Sequence, residues 1–173
     1  MRKLILLFAG VAFLMAGLMT GQNLSGRRAP SFALPDSTLT PHDILDYRGR
    51  WLLLDFMKTD CPHCKLLTQS LEQMKSKWGV KVAVLAIVVP PDNTATASRY
   101  IVETKTTTPI LFDSGQTAMW YFNATPTRPS YDTPHLFAIS PQGMIVRDWT
   151  QAMLEAPGFA AELEALIAGG GKK

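Results

Sequence analysis

Two cysteines are all this 173-residue chain has, and they stand two residues apart in Cys61-Pro62-His63-Cys64, just after the apolar run Trp51–Phe56. A cysteine that opens a helix lies where the dipole and the free backbone amides favour thiolate. A second one, three positions on, is one turn away and can close a ring with the first. With no third cysteine, the pair cannot belong to a structural disulfide framework. Two chemistries remain, a redox-active dithiol or half of a metal site.

Taken as a dithiol, Cys61 is the nucleophile and the more exposed sulfur, and Cys64 is the resolving thiol that attacks a mixed disulfide. His63 lies inside the ring, where an imidazolium or an N–H donor would favour the Cys61 thiolate; the alternative is a solvated loop histidine. Asp60 works against the thiolate, with Lys58 and Lys65 in part offsetting it. Asp55 is a carboxylate among apolar neighbours. Desolvation there favours its protonated form and suits a proton acceptor for Cys64, unless it is a strand-end carboxylate paired with a lysine. Taken as metal ligands, Cys61 and Cys64 with His135 or His42 would suit copper(I). Zinc would lack an evident fourth ligand.

Positioning these groups requires a strand before the pair and a helix after it. The run Trp51–Phe56, continued by Met57, is apolar throughout, as in a strand covered on both faces. From Pro62 to Trp78 the spacing is helical, with Leu66, Leu67, Leu71, Met74 and Trp78 on one side. A buried strand over 80–89, a helix over 94–105, a short strand over 109–113 and a short helix over 116–122 follow. A proline-punctuated loop then leads to a hairpin, His135–Ile139 with Met144–Trp149, around Ser140-Pro141-Gln142-Gly143. A last amphipathic helix spans 157–168. Earlier, 30–36 reads as an extended edge segment because of its prolines, and 40–46 as a helix start. Trp120, Tyr121 and Trp149 are expected in the core. The order β-α-β-α-β-α-β-β-α predicts an α/β fold, a mixed sheet with helices on both faces.

Net charge is +3, and without Arg2 and Lys3 only 15 basic residues face 14 acidic ones. No basic run or aromatic-interleaved patch suggests a nucleic-acid partner. Met1-Arg2-Lys3 followed by an apolar stretch over 4–19 is the pattern of an export signal. As a helix that stretch spans about 24 Å at ~1.5 Å per residue, short of a ~30 Å hydrocarbon core. The segment is therefore a cleaved signal peptide or a retained single-pass anchor. Either places the remainder outside the cytoplasm, where disulfides persist. The expected organisation is signal or anchor over 1–21, linker over 22–29, one domain over 30–168 and a loose tail over 169–173.

Three motifs, in order, resemble the thioredoxin superfamily, and within it the exported TlpA/ResA-like redoxins of AhpC/TSA type. They are Leu53-Leu54-Asp55-Phe56 six residues before the cysteine pair, Pro109-Ile110-Leu111-Phe112-Asp113 with Ala118 and Tyr121, and Thr133-Pro134-His135-Leu136-Phe137-Ala138-Ile139 followed by Gly143. The similarity runs from about residue 29 to 168. It implies a thioredoxin-like fold and a thiol–disulfide oxidoreductase, with no cofactor beyond the Cys61–Cys64 disulfide and no metal. Its partners would be protein thiols and disulfides and a membrane redox protein, in a bacterial periplasm or on the outer membrane face, with the chain acting as a monomer.

The resemblance also makes Asp55 the superfamily's buried acid. Pro134 becomes the cis-proline lying against the dithiol, with Thr133 before it tuning selectivity. Three features depart from the family pattern. Asp60 stands where a tryptophan is usual, and Pro126-Thr127-Arg128-Pro129 lengthens the loop before Pro134. Pro62-His63 is the dipeptide of oxidising enzymes (about −120 mV, against about −270 mV for thioredoxin), so the direction of electron flow is open. A peroxidase would carry Pro-x-x-x-Thr/Ser-x-x-Cys, but Leu54 and Lys58 hold those positions.

Overall fold

In the computed structural model, described here over residues 24–169, the chain forms a six-stranded mixed sheet with a small two-stranded ribbon beside it. The elements are β1 (Arg27–Arg28), β2 (Ala33–Pro35), β3 (Pro41–Asp43), β4 (Trp51–Phe56), α1 (Pro62–Trp78), β5 (Val82–Val88), α2 (Thr94–Thr104), β6 (Ile110–Phe112), α3 (Gln116–Tyr121), β7 (His135–Ile139), β8 (Met144–Trp149), α4 (Gln151–Leu154) and α5 (Phe159–Ala168). The sheet order is β1-β8-β7-β4-β5-β6. The run β4-β5-β6 is parallel and β7, β8 and β1 are antiparallel to their neighbours. This is the expected α/β, thioredoxin-like architecture.

β4 is central, and every one of its residues is buried. Its alternation divides two cores. Leu52, Leu54 and Phe56 face Phe32, Ile44, Ala118, Tyr121 and Phe122, so α3 and the N-terminal segment cover that side. Trp51 and Leu53 face Leu67, Leu71, Met74, Trp78, Phe159 and Leu163 of α1 and α5. On the same side, nearer the strand ends, Met57, Cys64, Ala86, Val88, Ala97 and Tyr100 join α1 to α2. Asp55 shares this helical side, paired in register with Ala86 of β5 and Leu136 of β7.

Several local expectations give way to tertiary contacts. Pro41–Asp43 does not start a helix but pairs with β2, His42 opposite Leu34. The turn begins later, at Ile44–Tyr47, where the Asp43 carboxylate accepts from the Leu45 amide at 2.8 Å. Within the stretch expected as linker, Arg27–Arg28 pairs with β8 and Leu24 and Ala29 are buried. Leu66, placed by periodicity on the inner side of α1, is 63 % exposed. Trp120 is not core either. It is 52 % exposed, because a helix of six residues turns Thr117, Ala118 and Tyr121 inward and leaves Met119 and Trp120 outside. Tyr121 and Trp149 are fully buried. Among the described residues no helix is long and apolar enough to cross a membrane; the proposed signal or anchor segment lies outside them, as does most of the expected tail.

Candidate active site

The two sulfurs sit where β4 hands over to α1. Cys61 is the N-cap of α1, extended at φ −89° and ψ 116°, and Pro62 follows at the first helical position, where its missing N–H costs nothing. The Cys64 amide donates to Cys61 Sγ at 3.2 Å. One of the helix's free N–H groups thus points at the proposed nucleophile. Cys61 is partly exposed and Cys64 is buried, both as free thiols. Burial drives the Cys64 thiol well above its ordinary range, helped by its hydrogen bond with Cys61 and the nearby Asp55 charge, while the Lys58 backbone amide opposes the shift.

The loop before β7 closes over the pair. The Thr133–Pro134 peptide is cis, and the Cys61 thiol lies 4.0 Å from the Thr133 carbonyl oxygen. A backbone edge is thereby presented beside the sulfur. The loop before α1 is fixed from the other side. The Thr59 amide donates to Asp92 Oδ2 at 3.1 Å, the Thr59 hydroxyl donates to Oδ1, and Thr96 Oγ1 donates to Oδ1 at 2.8 Å.

Asp55 lies under this surface, 2 % exposed, and among the described residues no hydrogen bond reaches its Oδ1. Desolvation pushes it up to about 8. Among the described residues no lysine pairs with it. Beside it a small cavity is lined by Thr68, Tyr100, Thr106 and Thr108. Thr68 Oγ1 and Tyr100 Oη share a hydrogen bond of 2.7 Å, and Glu72 gathers the Thr106 and Thr108 hydroxyls at 2.6 and 2.9 Å. Burial works against the Glu72 charge, but these bonds and the one from Lys75 outweigh it and hold the carboxyl at about 2.

Of the sequence-derived candidates, Cys61, Cys64, Pro62, His63, Thr133 and Pro134 converge at one end of the sheet, with Asp55 beneath. His63 is not free, since its Nδ1 pairs with Glu155 Oε1 at 2.5 Å, and the hydrogen bonds of Cys61 Sγ go to the Cys64 amide and the Thr133 carbonyl instead. Lys65 is drawn off to Glu103 at 2.7 Å. His135 and His42 do not join the pair. In β7, His135 points to the α3 side, packed edge-on against Phe122 and bonded to Asp148 at 3.0 Å. His42 bonds Tyr47 and Asp36 in the ribbon. Among the described residues no three His, Cys, Asp or Glu side chains are grouped to hold a metal. Asp92 and Glu155 escaped the sequence reading. Asp92 carries a weak signal, as it follows Pro90-Pro91 and precedes the helix cap Asn93, but nothing local singles out Glu155.

A family model, the AhpC/TSA family, matches residues 25–148. Thioredoxin-like protein YneN of Bacillus subtilis is 28 % identical over 91 residues, which is 46 % of this chain and 54 % of that protein. The chain thus matches about half the length of this curated relative. Among solved structures, a protein assigned as thiol:disulfide interchange protein DsbE from Chlorobium tepidum superposes with a TM-score of 0.67 at 26 % identity, covering 83 % of this chain and 96 % of that one. A thiol-disulfide oxidoreductase from Bacteroides fragilis gives 0.65 at 21 % identity over 82 % and 100 %; that likeness is one of fold.

Proposed function

The chain belongs to the AhpC/TSA family, and we propose that it is a thiol–disulfide oxidoreductase that exchanges disulfides with protein substrates outside the cytoplasm through Cys61 and Cys64. One observation carries the reading. A partly exposed sulfur caps a helix and takes an amide hydrogen bond from its partner cysteine, which is buried above an unbonded carboxylate.

The chemistry follows from that arrangement. In the reducing direction, the Cys61 thiolate attacks a substrate disulfide, forming a mixed disulfide and releasing one substrate thiolate. Cys64, buried and held protonated, gives its proton to Asp55 and attacks Cys61 Sγ. The Cys61–Cys64 bond forms, and the second substrate sulfur leaves as a thiolate. The oxidising direction is the reverse. A carboxyl at about 8 is suited to both, because near neutral pH it exchanges a proton at little cost. Thr133 and Pro134 offer backbone beside Cys61 on which an extended substrate segment can align. Export rests on the charged and apolar N-terminus, and a membrane redox protein would then restore the dithiol.

The copper reading loses its third ligand, since His135 and His42 each have partners elsewhere. Peroxide chemistry would lack the threonine or serine expected three residues before Cys61, where Lys58 stands.

Two experiments test the proposal. The reduced chain should reduce a disulfide-bonded protein such as insulin, and Cys64→Ser should accumulate a mixed disulfide at Cys61 visible by mass spectrometry. Absence of both would overturn the activity. Residues 1–23 fused to alkaline phosphatase, a reporter active only after export, should give activity; an inactive fusion would overturn the location.

A further inference from the structure

The four-residue helix α4 packs Met153 and Leu154 against the core around Trp149 and Phe159. Its C-cap residue, Glu155, thereby comes over the first turn of α1. Glu155 Oε1 accepts from Gln151 Nε2 at 2.9 Å, one turn back, and pairs with His63 Nδ1 at 2.5 Å. Cys61 Sγ meanwhile takes its contacts from the Cys64 amide and the Thr133 carbonyl rather than from the imidazole.

We infer that Glu155 is a positioning residue that draws the His63 imidazole out of the dithiol ring and offsets its charge, making this Cys-Pro-His-Cys a weaker oxidant than its dipeptide alone would dictate. The inference rests on the proposed exchange reaction and names a determinant of its direction. An imidazolium held near the Cys61 thiolate stabilises the reduced form and so raises the potential. Turning the ring toward a carboxylate removes that stabilisation. Other charges face the same surface: Lys58 and Asp60 from the loop before α1, Asp132 from the loop before β7, and Lys65 of α1, which Glu103 of α2 neutralises. Among the described residues, Glu155 is the acid paired with a residue that stands between the two cysteines in the chain.

The test is the redox equilibrium of the full chain with glutathione, which needs no protein substrate. Glu155→Gln should shift it about tenfold toward the reduced dithiol, or about 30 mV, and speed alkylation of Cys61 at pH 6. In a His63→Ala background the same substitution should change the equilibrium less than about twofold. Less than a twofold change with His63 present, or an equal shift in both backgrounds, would overturn the inference. Should the wild-type chain form no Cys61–Cys64 disulfide at any glutathione ratio, the exchange reading itself fails. A disulfide that forms but ignores Glu155 sinks only the positioning role.

Discussion

Two buried aspartates close strands of the parallel run β4-β5-β6, and they live differently. Asp113 follows β6 and is 4 % exposed, yet the Thr117 and Ala118 amides at the start of α3 donate to it at 3.2 and 2.9 Å. Asp55 is as deeply buried in β4, and among the described residues no hydrogen bond reaches its Oδ1. At the end of β6 the helix N-terminus is turned onto the carboxylate. At the end of β4 it is turned onto Cys61 instead, and the carboxylate is left without it. A helix N-terminus has few free amides, so donating them to a sulfur withholds them from the acid below. An acid satisfied by amides is a structural cap, whereas one left unpaired in an apolar setting is ready to move a proton.

Removing the Cys61 sulfur has the largest effect. Cys61→Ser should lower disulfide exchange at least about 10³-fold, measured by insulin reduction, because the other thiol, Cys64, is buried. Asp55→Asn should slow the Cys64 step by about 10- to 100-fold and erase the pH dependence of that step near 8, as read by stopped-flow release of the mixed disulfide. The same variant should resist urea better at pH 9, by on the order of 2–3 kcal/mol, since an ionised Asp55 is costly to bury. Asp113→Asn should do the opposite. It is expected to lose about 1–3 kcal/mol of stability and keep exchange within about twofold. His42→Ala, remote from both acids, should leave exchange unchanged; a large loss of copper binding by the reduced chain in that variant would revive the metal reading.

Much of this contrast was legible in the residues. An aspartate set in Leu53-Leu54-Asp55-Phe56 advertises its desolvation, and the apolar run around it identifies the central strand. The cysteine pair, the helix after it and the hairpin that carries Pro134 are all local patterns. Other features depend on separations no local pattern spans. His63, at the start of α1, meets Glu155, which follows β8, through a four-residue helix whose N-cap makes no side-chain hydrogen bond. Glu72 meets its threonines 34 and 36 positions on. Trp120 was misjudged for a related reason, since six residues are too few for hydrophobic periodicity to fix a buried side. Leu66 stands exposed because the buried stripe of α1 runs through Cys64, Leu67, Thr68, Leu71, Met74 and Trp78, and Leu66 falls beside it.

The unpaired Asp55 and the heavily bonded Glu72, both close to the same small cavity, also determine where on the pH scale the fold is firmest. Glu72 and Asp36 sit near 2 in the folded chain, well below their ordinary values, so their stabilisation is complete above about 4.5 and is lost as pH falls toward 2. Asp55 has the opposite sign. Its folded value lies above its ordinary 3.8, so stability drains away as pH climbs from there to about 8. Taken together, these three groups favour the fold most near pH 4 to 5. On the proposed mechanism, keeping Asp55 under the dithiol costs the fold stability at the neutral pH where the dithiol would work.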